Sequence, residues 1–348
     1  MSDRGGASHP IVELTRTRLR EFLREPEAVF WLVFFPILIA FALGIAFRGK
    51  GEEVVHAGVM AGDDAAGVRA ALEGAPGIRV HDVSRDRADL ALRDGEVQVV
   101  VLPGSPPTYR FDPTRPESRL ARLAVDAALQ RAAGRADPFQ AGEERVEIAG
   151  SRYIDWLIPG LLGMNIMGTG MWGIGFSIVH ARSRRVLKRL AATPMSRADF
   201  LLAQMLARLV FLGLEVGALL LFAWLMFQVP LKGSLATLAG VTLLGALAFA
   251  GLGLLIASRP RTIEAVSGLM NFAMVPMWVL SGVFFSSANF PPVTQPFIGA
   301  LPLTALNDAL RAVMLDGASV VAIAPELGVM TAWTAVSFAL ALWIFRWR

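Results

Sequence analysis

Apolar residues are unevenly distributed along this sequence and collect in long runs separated by polar and charged stretches. Several runs reach the length of about 20 residues that a helix needs to cross the hydrocarbon core of a bilayer. Because lipid offers no partner to unpaired backbone groups, such runs must be helical. The pattern predicts an α-helical polytopic membrane protein with six transmembrane helices, at residues 28–47, 156–179, 200–227, 235–257, 265–285 and 327–345.

The segment between the first and second runs, residues 48–152, has a different pattern. It contains short β-branched runs, among them VVHAGVM, IRVHDV and VQVVVLP, which alternate with stretches that read as helices. The order is β-α-β-α-β-β-α. This order predicts a small α/β domain inserted after the first span, followed by the remaining five spans in residues 153–348.

Two shorter apolar segments accompany the spans. Residues 1–27 include a basic amphipathic stretch at 11–23, which fits either a helix in the membrane interface or a cytoplasmic lead-in to the first span. Residues 288–317 contain apolar pieces of only about 10–13 residues, interrupted by four prolines. Pieces this short favour a re-entrant hairpin over a full crossing.

Arginine and lysine cluster before residue 28, at 180–199, at 258–262 and at the carboxyl terminus. Short connections rich in these residues favour the cytoplasm, whereas long translocated domains escape that rule. A topology of six spans with both termini in the cytoplasm places every one of these basic clusters on the cytoplasmic side. We therefore expect a multi-pass protein of the bacterial cytoplasmic (inner) membrane, with residues 48–152 and the hairpin on the outer side.

Composition supports this class and excludes others. The chain is 54% hydrophobic and only 18% charged, with a mean hydropathy of +0.52, whereas about a quarter of the residues of a soluble domain are charged. The net charge of +4 does not indicate nucleic acid, because the basic residues flank apolar runs. The absence of cysteine and the dispersal of four histidines give no indication of a metal site.

The sequence has no catalytic motif. It contains no G-x-x-x-x-G-K-[ST] loop, no H-E-x-x-H and no G-x-S-x-G. We therefore expect neither an enzyme nor a nucleotide cofactor bound by this chain.

A partly polar stripe follows the second span, because Asn165, Thr169, Trp172 and Phe176 recur at helical spacing. Such a stripe should face protein or a cavity. In the fifth span, Asn271, Met274 and Met277 form a comparable surface that could adapt to varied apolar ligands. Both stripes are candidate pathway linings, and ordinary helix packing is the alternative.

Glu215 lies near the middle of the third span, where a carboxylate costs about 2.5–3.5 kcal/mol. Arg208 lies seven residues earlier on the same helix face. A buried structural pair and a role in transport are therefore both open.

Three segments carry a family resemblance: YIDWLIPGLLGMNIMGTG at 153–170, RRVLKRLAATPMSRADFLLAQ at 184–204 and LPLTALNDALRAVMLDG at 301–317. They resemble the permease subunit of type-2 ABC exporters, in the form with a large extracytoplasmic domain after the first span. The order of elements fits this resemblance over nearly the whole chain.

The resemblance implies that residues 180–199 carry a coupling helix, which docks on a separate cytoplasmic ATPase that binds ATP and magnesium. The implied contacts are Arg184, Arg185, Leu187, Lys188, Arg189, Leu190, Thr193 and Pro194. The same basic residues could instead serve only as membrane anchors.

The resemblance also implies export of a hydrophobic or amphipathic substrate, drug-like or lipid-like, by alternating access. Two copies, or one copy and a homologue, would pair and line the pathway with their second and fifth spans. A sensor or scaffold has the same topology and is the alternative: its outer domain would bind a ligand and its cytoplasmic loop would recruit a partner. An outer partner could also act through residues 48–152.

Overall fold

The computed structural model describes residues 24–47, 54–62, 64–136, 150–183, 197–260 and 262–344, with the single positions 20, 139 and 142. Only the backbone is described at residue 28, 180–183 and 197–207. Two compact units make up the chain: Gly49–Val146, and a membrane unit of Met1–Arg48 with Glu147–Arg348. The predicted interfacial helix at 11–23 lies outside the described residues, apart from position 20.

The first membrane helix, α1, combines Pro26–Val29, a π-helical stretch at Phe30–Phe34 and Phe35–Ala46. Its apolar part, Phe30–Ala46, is shorter than the helices that meet the length of a full crossing. Pro36 is the second residue after the π-helical stretch. Because proline has no backbone N–H, the hydrogen-bond ladder of α1 is interrupted at this point.

The unit Gly49–Val146 is the α/β domain, and its elements follow the predicted order β-α-β-α-β-β-α. They are β1 (Val55–Met60), α2 (Ala65–Glu73), β2 (Ile78–Val83), α3 (Ala88–Asp94), β3 (Val99–Leu102), β4 (Thr108–Phe111) and α4 (Pro116–Ala132).

The four strands form one mixed sheet in the order β2-β1-β3-β4. Strand β1 is parallel to β2 and β3, and β4 is antiparallel to β3. Successive side chains of a strand point to opposite faces. Ala57 and Val59 therefore pack with α2 and α4, whereas Met60 packs with α3. Helices cover both faces of the sheet, as in other α/β folds.

In the part of the membrane unit that the structure describes, seven further α-helices follow. They are α5 (Tyr153–Ser183), α6 (Arg197–Phe227), α7 (Leu235–Ala257), α8 (Ile263–Leu280), α9 (Gln295–Gly299), α10 (Pro302–Arg311) and α11 (Ala324–Ile344). Helices α5, α6, α7, α8 and α11 contain stretches long and apolar enough to cross a membrane. Together with the shorter α1, they correspond to the six predicted spans.

Helix α7 is central to the membrane unit and packs along both α5 and α11. Its glycines bring the backbones together: a Cβ at Gly253 would lie 2.7 Å from the carbonyl oxygen of Met171 in α5. Small residues at such crossings let membrane helices pack closely. Helix α10, which is buried along almost its whole length, packs against α5, α7 and α11.

Helices α9 and α10 lie in the segment 288–317, for which a re-entrant hairpin stays a prediction. They belong to two apolar segments, Pro292–Gly299 and Pro302–Asp316, that bend by 86° at a short break. A π-helical turn, Ala312–Asp316, follows α10 and ends at Gly317 with φ of 69°.

Several predicted span boundaries differ from the structure by up to five residues, and three of them bear on the site. Helix α8 ends at Leu280 rather than at residue 285, because Gly282 adopts a left-handed conformation with φ of 71° and begins a turn. Helix α5 continues to Ser183, and α6 begins at Arg197. The predicted coupling connection at 180–199 therefore narrows to residues 184–196, which lie outside the described residues.

Candidate functional site

A polar cluster within the membrane unit joins α1, α5 and α6. It begins in α1, where the carbonyl of Leu32 is the one that an N–H at position 36 would reach in an α-helix, and Pro36 has none. The side-chain amide of Asn165 in α5 donates to this carbonyl at 3.2 Å. Asn165 therefore gives this buried carbonyl a side-chain donor at a point where the α-helical donor, the N–H of residue 36, is missing.

Thr169 is the centre of the cluster and lies one turn along α5 from Asn165. Its hydroxyl oxygen is 2.8 Å from the carbonyl oxygen of Asn165 and 3.1 Å from Oε1 of Glu215 in α6. A threonine hydroxyl has a single proton, so it can donate to only one of these acceptors at a time. Its oxygen also accepts a hydrogen bond from the guanidinium of Arg208.

Glu215 is 1% exposed and forms an ion pair with Arg208, with 3.4 Å between Oε1 and Nη2. The two residues are two helical turns apart on α6, as their spacing predicts. The second carboxylate oxygen, Oε2, has no hydrogen-bond partner among the described residues. The pair cancels its own charge, and removing either partner alone would leave an uncompensated charge in a region that disfavours it.

Trp172 and Phe176 continue the same face of α5 beyond Thr169. Their rings stack with 4.8 Å between centroids and an interplanar angle of 19°. Both side chains are half-buried. The predicted stripe is therefore polar and tied down at Asn165 and Thr169, and aromatic and partly accessible in its second half.

The stripe predicted on the fifth span is divided in the structure. Met274 and Met277 of α8 are buried in the core of the membrane unit, whereas Asn271 is exposed. A Cβ at Gly168 of α5 would lie 3.8 Å from the terminal methyl of Met274. In this conformation the two methionines fill the space between helices and do not share an open face with Asn271. A pathway role for these residues stays a prediction.

A second polar cluster, which the sequence reasoning missed, lies around the carboxyl end of α8. From α10, Asn307 donates to the carbonyl of Ser281 at 2.8 Å, and the buried Arg311 donates to the carbonyl of Gly282. The guanidinium carbon of Arg311 also lies 3.6 Å from the ring centroid of Trp156 in α5. The signals available were the spacing of Asn307 and Arg311 on one face of a short amphipathic helix and the density of glycine in the facing span.

Glycines in α5 make room for this second cluster. A Cβ at Gly163 would collide with Oδ1 of Asn307, and a Cβ at Gly160 would collide with the carbonyl of Val283. Tyr153, at the start of α5, donates its hydroxyl to the carbonyl of Phe284 at 3.0 Å. Three carbonyls within four residues, at 281, 282 and 284, thus accept from side chains of neighbouring helices.

The start of α5 is fixed by an ion pair. Asp155 is fully buried and accepts from Nε and Nη2 of Arg152 at 2.9 and 2.8 Å. This carboxylate holds the pKa of Arg152, which precedes the membrane-spanning part, above its ordinary value. The pair stabilises the helix entry next to the second polar cluster.

The implied coupling residues, from Arg184 to Pro194, lie outside the described residues, so their docking role stays a prediction. Within the part of the chain that the structure describes, no three histidine, aspartate or glutamate side chains group as metal ligands would.

The family model described as ABC-2 type transporter matches residues 125–315, more than half of the chain. The inner membrane transport permease YadH of Escherichia coli (strain K12) is 26% identical over 204 residues, covering 58% of this chain and 76% of that protein.

Two further relatives are covered over less than half of their own length. The linearmycin resistance permease protein LnrN of Bacillus subtilis (strain 168) is 28% identical over 51% of this chain and 46% of its own. The probable multidrug ABC transporter permease YbhS of Escherichia coli (strain K12) is 30% identical over 47% of this chain and 43% of its own.

The matched family consists of multi-span membrane permeases that carry no catalytic domain, and in such systems ATP is handled by a separate ATPase subunit. The five candidate spans among the described residues, the shorter apolar helix α1 and the absence of a phosphate-binding loop in the sequence agree with this assignment. The chain therefore belongs to the ABC-2 type transporter family, as a multi-pass permease subunit that works with a separate ATPase.

Proposed function

We propose that this chain is the membrane half of an ATP-driven exporter, in which two copies, or one copy and a homologous permease, form the pathway. The observation that carries the proposal is the family match over residues 125–315, which includes the whole connection between α5 and α6. A ligand or nucleotide shifts such a pair between inward- and outward-facing states only through its different affinities for the two states.

The proposed topology places both termini and residues 184–196 in the cytoplasm. The α/β domain and the hairpin of α9 and α10 then lie on the outer side. This arrangement follows the arginine and lysine clusters of the short connections. It makes Gly49–Val146 an extracytoplasmic domain, available to an outer partner or to departing cargo.

The proposed cargo is hydrophobic or amphipathic. The half-buried aromatic pair Trp172 and Phe176 offers an apolar surface beside the polar group of Thr169, which suits a molecule with one polar end. Relatives named for linearmycin resistance and for multidrug transport support the same class.

Docking of the ATPase is the first step that can be tested. Replacing Leu187 and Leu190 together by aspartate removes apolar contacts from the proposed coupling helix without touching the six spans. Affinity purification from native membranes should recover a stoichiometric ATPase with the wild-type chain and lose it with the double variant. Leu231→Asp, in the connection between α6 and α7, is the matched control and should retain the ATPase.

Two results would contradict the proposal. One is repeated purification of the intact wild-type chain with no nucleotide-binding partner. The other is recovery of a partner without ATPase activity together with an outer ligand, which would favour the sensor or scaffold. Equal recovery with the leucine double variant would overturn only the placement of the coupling helix.

A further inference from the structure

The two ends of α8 are held very differently. At the carboxyl end, side chains from α10 and α5 bind the carbonyls of residues 281, 282 and 284. At the amino end, Thr262, Ile263, Glu264 and Ala265 are all exposed, and Val266 is the first buried side chain. The side-chain hydrogen bonds described there, from Ala265 N–H to the Thr262 hydroxyl and from the Ser267 hydroxyl to the Ile263 carbonyl, stay within α8 and its cap.

The α10 side chains that donate to the carboxyl end of α8 belong to a well-packed part of the membrane unit. Nine of the ten residues of α10 are buried, Asn307 and Arg311 among them. Arg311 places a positive charge at the carboxyl end of α8, where the helix dipole is negative. Its neighbour Asp308 is 3.5 Å away and balances part of the charge. This end of α8 is therefore anchored by both hydrogen bonds and charge.

The middle of α8 packs through side chains that can rearrange. Met270 lies against Gly175 of α5, and Met274 lies against Gly168. Methionine has three rotatable bonds and adapts to irregular surfaces. A helix face made of glycine has no side chains that could interlock with it. Pro276, inside the helix, removes the hydrogen bond to the carbonyl of Phe272 and softens α8 near its anchored end.

The left-handed residue Gly282 completes the arrangement, because the chain turns there directly after the helix. Helix α8 is thus anchored at one end, lacks a backbone hydrogen bond just before that end and packs through methionines along its length. These features favour one kind of motion. That motion is a tilt about the anchored end, with the amino end moving farthest.

We propose that α8 is a lever that pivots about its carboxyl end, and that Asn307 and Arg311 are the positioning residues that hold the pivot. The proposal rests on the proposed transport function, in which the carboxyl end of α8 is the outer end. A helix of 18 residues is about 27 Å long, so a tilt of about 10° moves its amino end by about 5 Å. Such a tilt would open or close the pathway on the cytoplasmic side while the outer end stays in place.

The sequence has no cysteine, so pairs of cysteines can be introduced for spin labelling with no background labelling to remove. An amino-end pair, Ile263→Cys with Trp343→Cys, measures the start of α8 against the end of α11. A carboxyl-end pair, Phe285→Cys with Val321→Cys, measures the segment that follows the turn after α8 against the segment just before α11. All four side chains are at least one-third exposed. Labelled full-length chains are reconstituted in lipid with an excess of unlabelled wild type, so that each distance lies within one copy.

We expect the amino-end pair to show a distribution that is broad or shifts by about 5 Å when ATPase and nucleotide are added. The carboxyl-end pair should give one narrow distance under all conditions. Asn307→Ala, or Arg311→Met, should broaden the carboxyl-end pair. Thr304→Val should not, because the buried Thr304 hydroxyl on the same helix has no partner among the described residues.

Carboxyl-end distances that move as much as the amino-end distances, or that ignore the loss of Asn307, would overturn the pivot. So would an amino-end pair that is narrow and fixed with and without nucleotide. Both pairs are measured inside one copy and first without the ATPase. A failure of the pivot is therefore distinct from a failure to find transport, which appears only in the ATPase and flux assays.

Discussion

The side-chain amide of Asn165 donates, at 3.2 Å, to the carbonyl of Leu32, whose α-helical donor four residues on is missing because residue 36 is proline. A carbonyl of one membrane helix thus accepts a hydrogen bond from a side chain of another helix, 133 positions away in the sequence. Through Asn165, this hydrogen bond also connects α1 to Thr169, Glu215 and Arg208. This polar cluster joins the first three membrane helices.

This relationship predicts a rescue. Asn165→Ala removes the side-chain donor to the buried Leu32 carbonyl and should lower the free energy of unfolding by about 1 kcal/mol. Pro36→Ala restores a backbone N–H at the position that serves this carbonyl. The double variant should therefore lose less stability than the sum of the single variants, as measured by unfolding of the purified protein in mixed micelles. Additive losses would show that the two residues do not serve the same acceptor.

The ion pair of Glu215 and Arg208 can be tested by a second pair of single and double variants. Glu215→Gln leaves the guanidinium without its counter-charge and should destabilise the protein by about 3–5 kcal/mol. Replacing the pair together, with Arg208→Met and Glu215→Leu, removes both charges and should recover most of that loss. The free energy of unfolding and the transport rate of both variants decide between the two roles.

A structural role predicts that stability and transport return together in the double variant. A double variant as unstable as Glu215→Gln would contradict the pairing. A double variant that folds normally but does not transport would assign the carboxylate to the transport step.

The glycines of α5 give a matched comparison. Gly163→Ala drives a methyl group into Oδ1 of Asn307 and should destabilise the protein by about 1–3 kcal/mol through overpacking. At Gly173, on the same helix, an added methyl group would meet no described atom within 4 Å. Gly173→Ala should be neutral or slightly stabilising, since alanine favours helix more than glycine. Equal thermal stability of the two variants would argue against the tight contact between α5 and α10.

The α/β domain contains a tyrosine with a shifted titration. Burial, reinforced by the hydrogen bond to Asp126, raises the pKa of Tyr109 from 10.0 to about 12. The neutral phenol therefore favours the folded state, a contribution that is complete below the ordinary pKa and is lost as pH rises through the shifted one.

The chain has only two tyrosines, so Tyr153→Phe leaves Tyr109 as the sole reporter. Its tyrosinate absorbance should develop near pH 12 and not near 10. Removing the hydroxyl with Tyr109→Phe should make the stability of the domain less dependent on pH over that range. Titration near the ordinary value would contradict the buried hydrogen bond.

The sequence predicts the membrane class, the order of elements in the α/β domain and most helix positions, because each depends on local periodicity. The end of α8 was misplaced because apolar residues continue past Gly282, where the backbone turns. The pair of Arg208 and Glu215 was visible from spacing on one helix. The hydrogen bonds from Asn165 to Leu32 and from Arg311 to Gly282 could not be predicted from the sequence, because tertiary packing alone brings those groups together.

ATP-dependent movement of cargo tests the central claim most directly. The purified complex of this chain with its co-purifying ATPase would be reconstituted in vesicles with the ATPase outside, alongside a panel of fluorescent amphiphiles. The account predicts accumulation of at least one amphiphile inside the vesicles that requires ATP and disappears when the catalytic glutamate of the ATPase is replaced. A complex that hydrolyses ATP at the same rate with and without every amphiphile, and accumulates none, would contradict it.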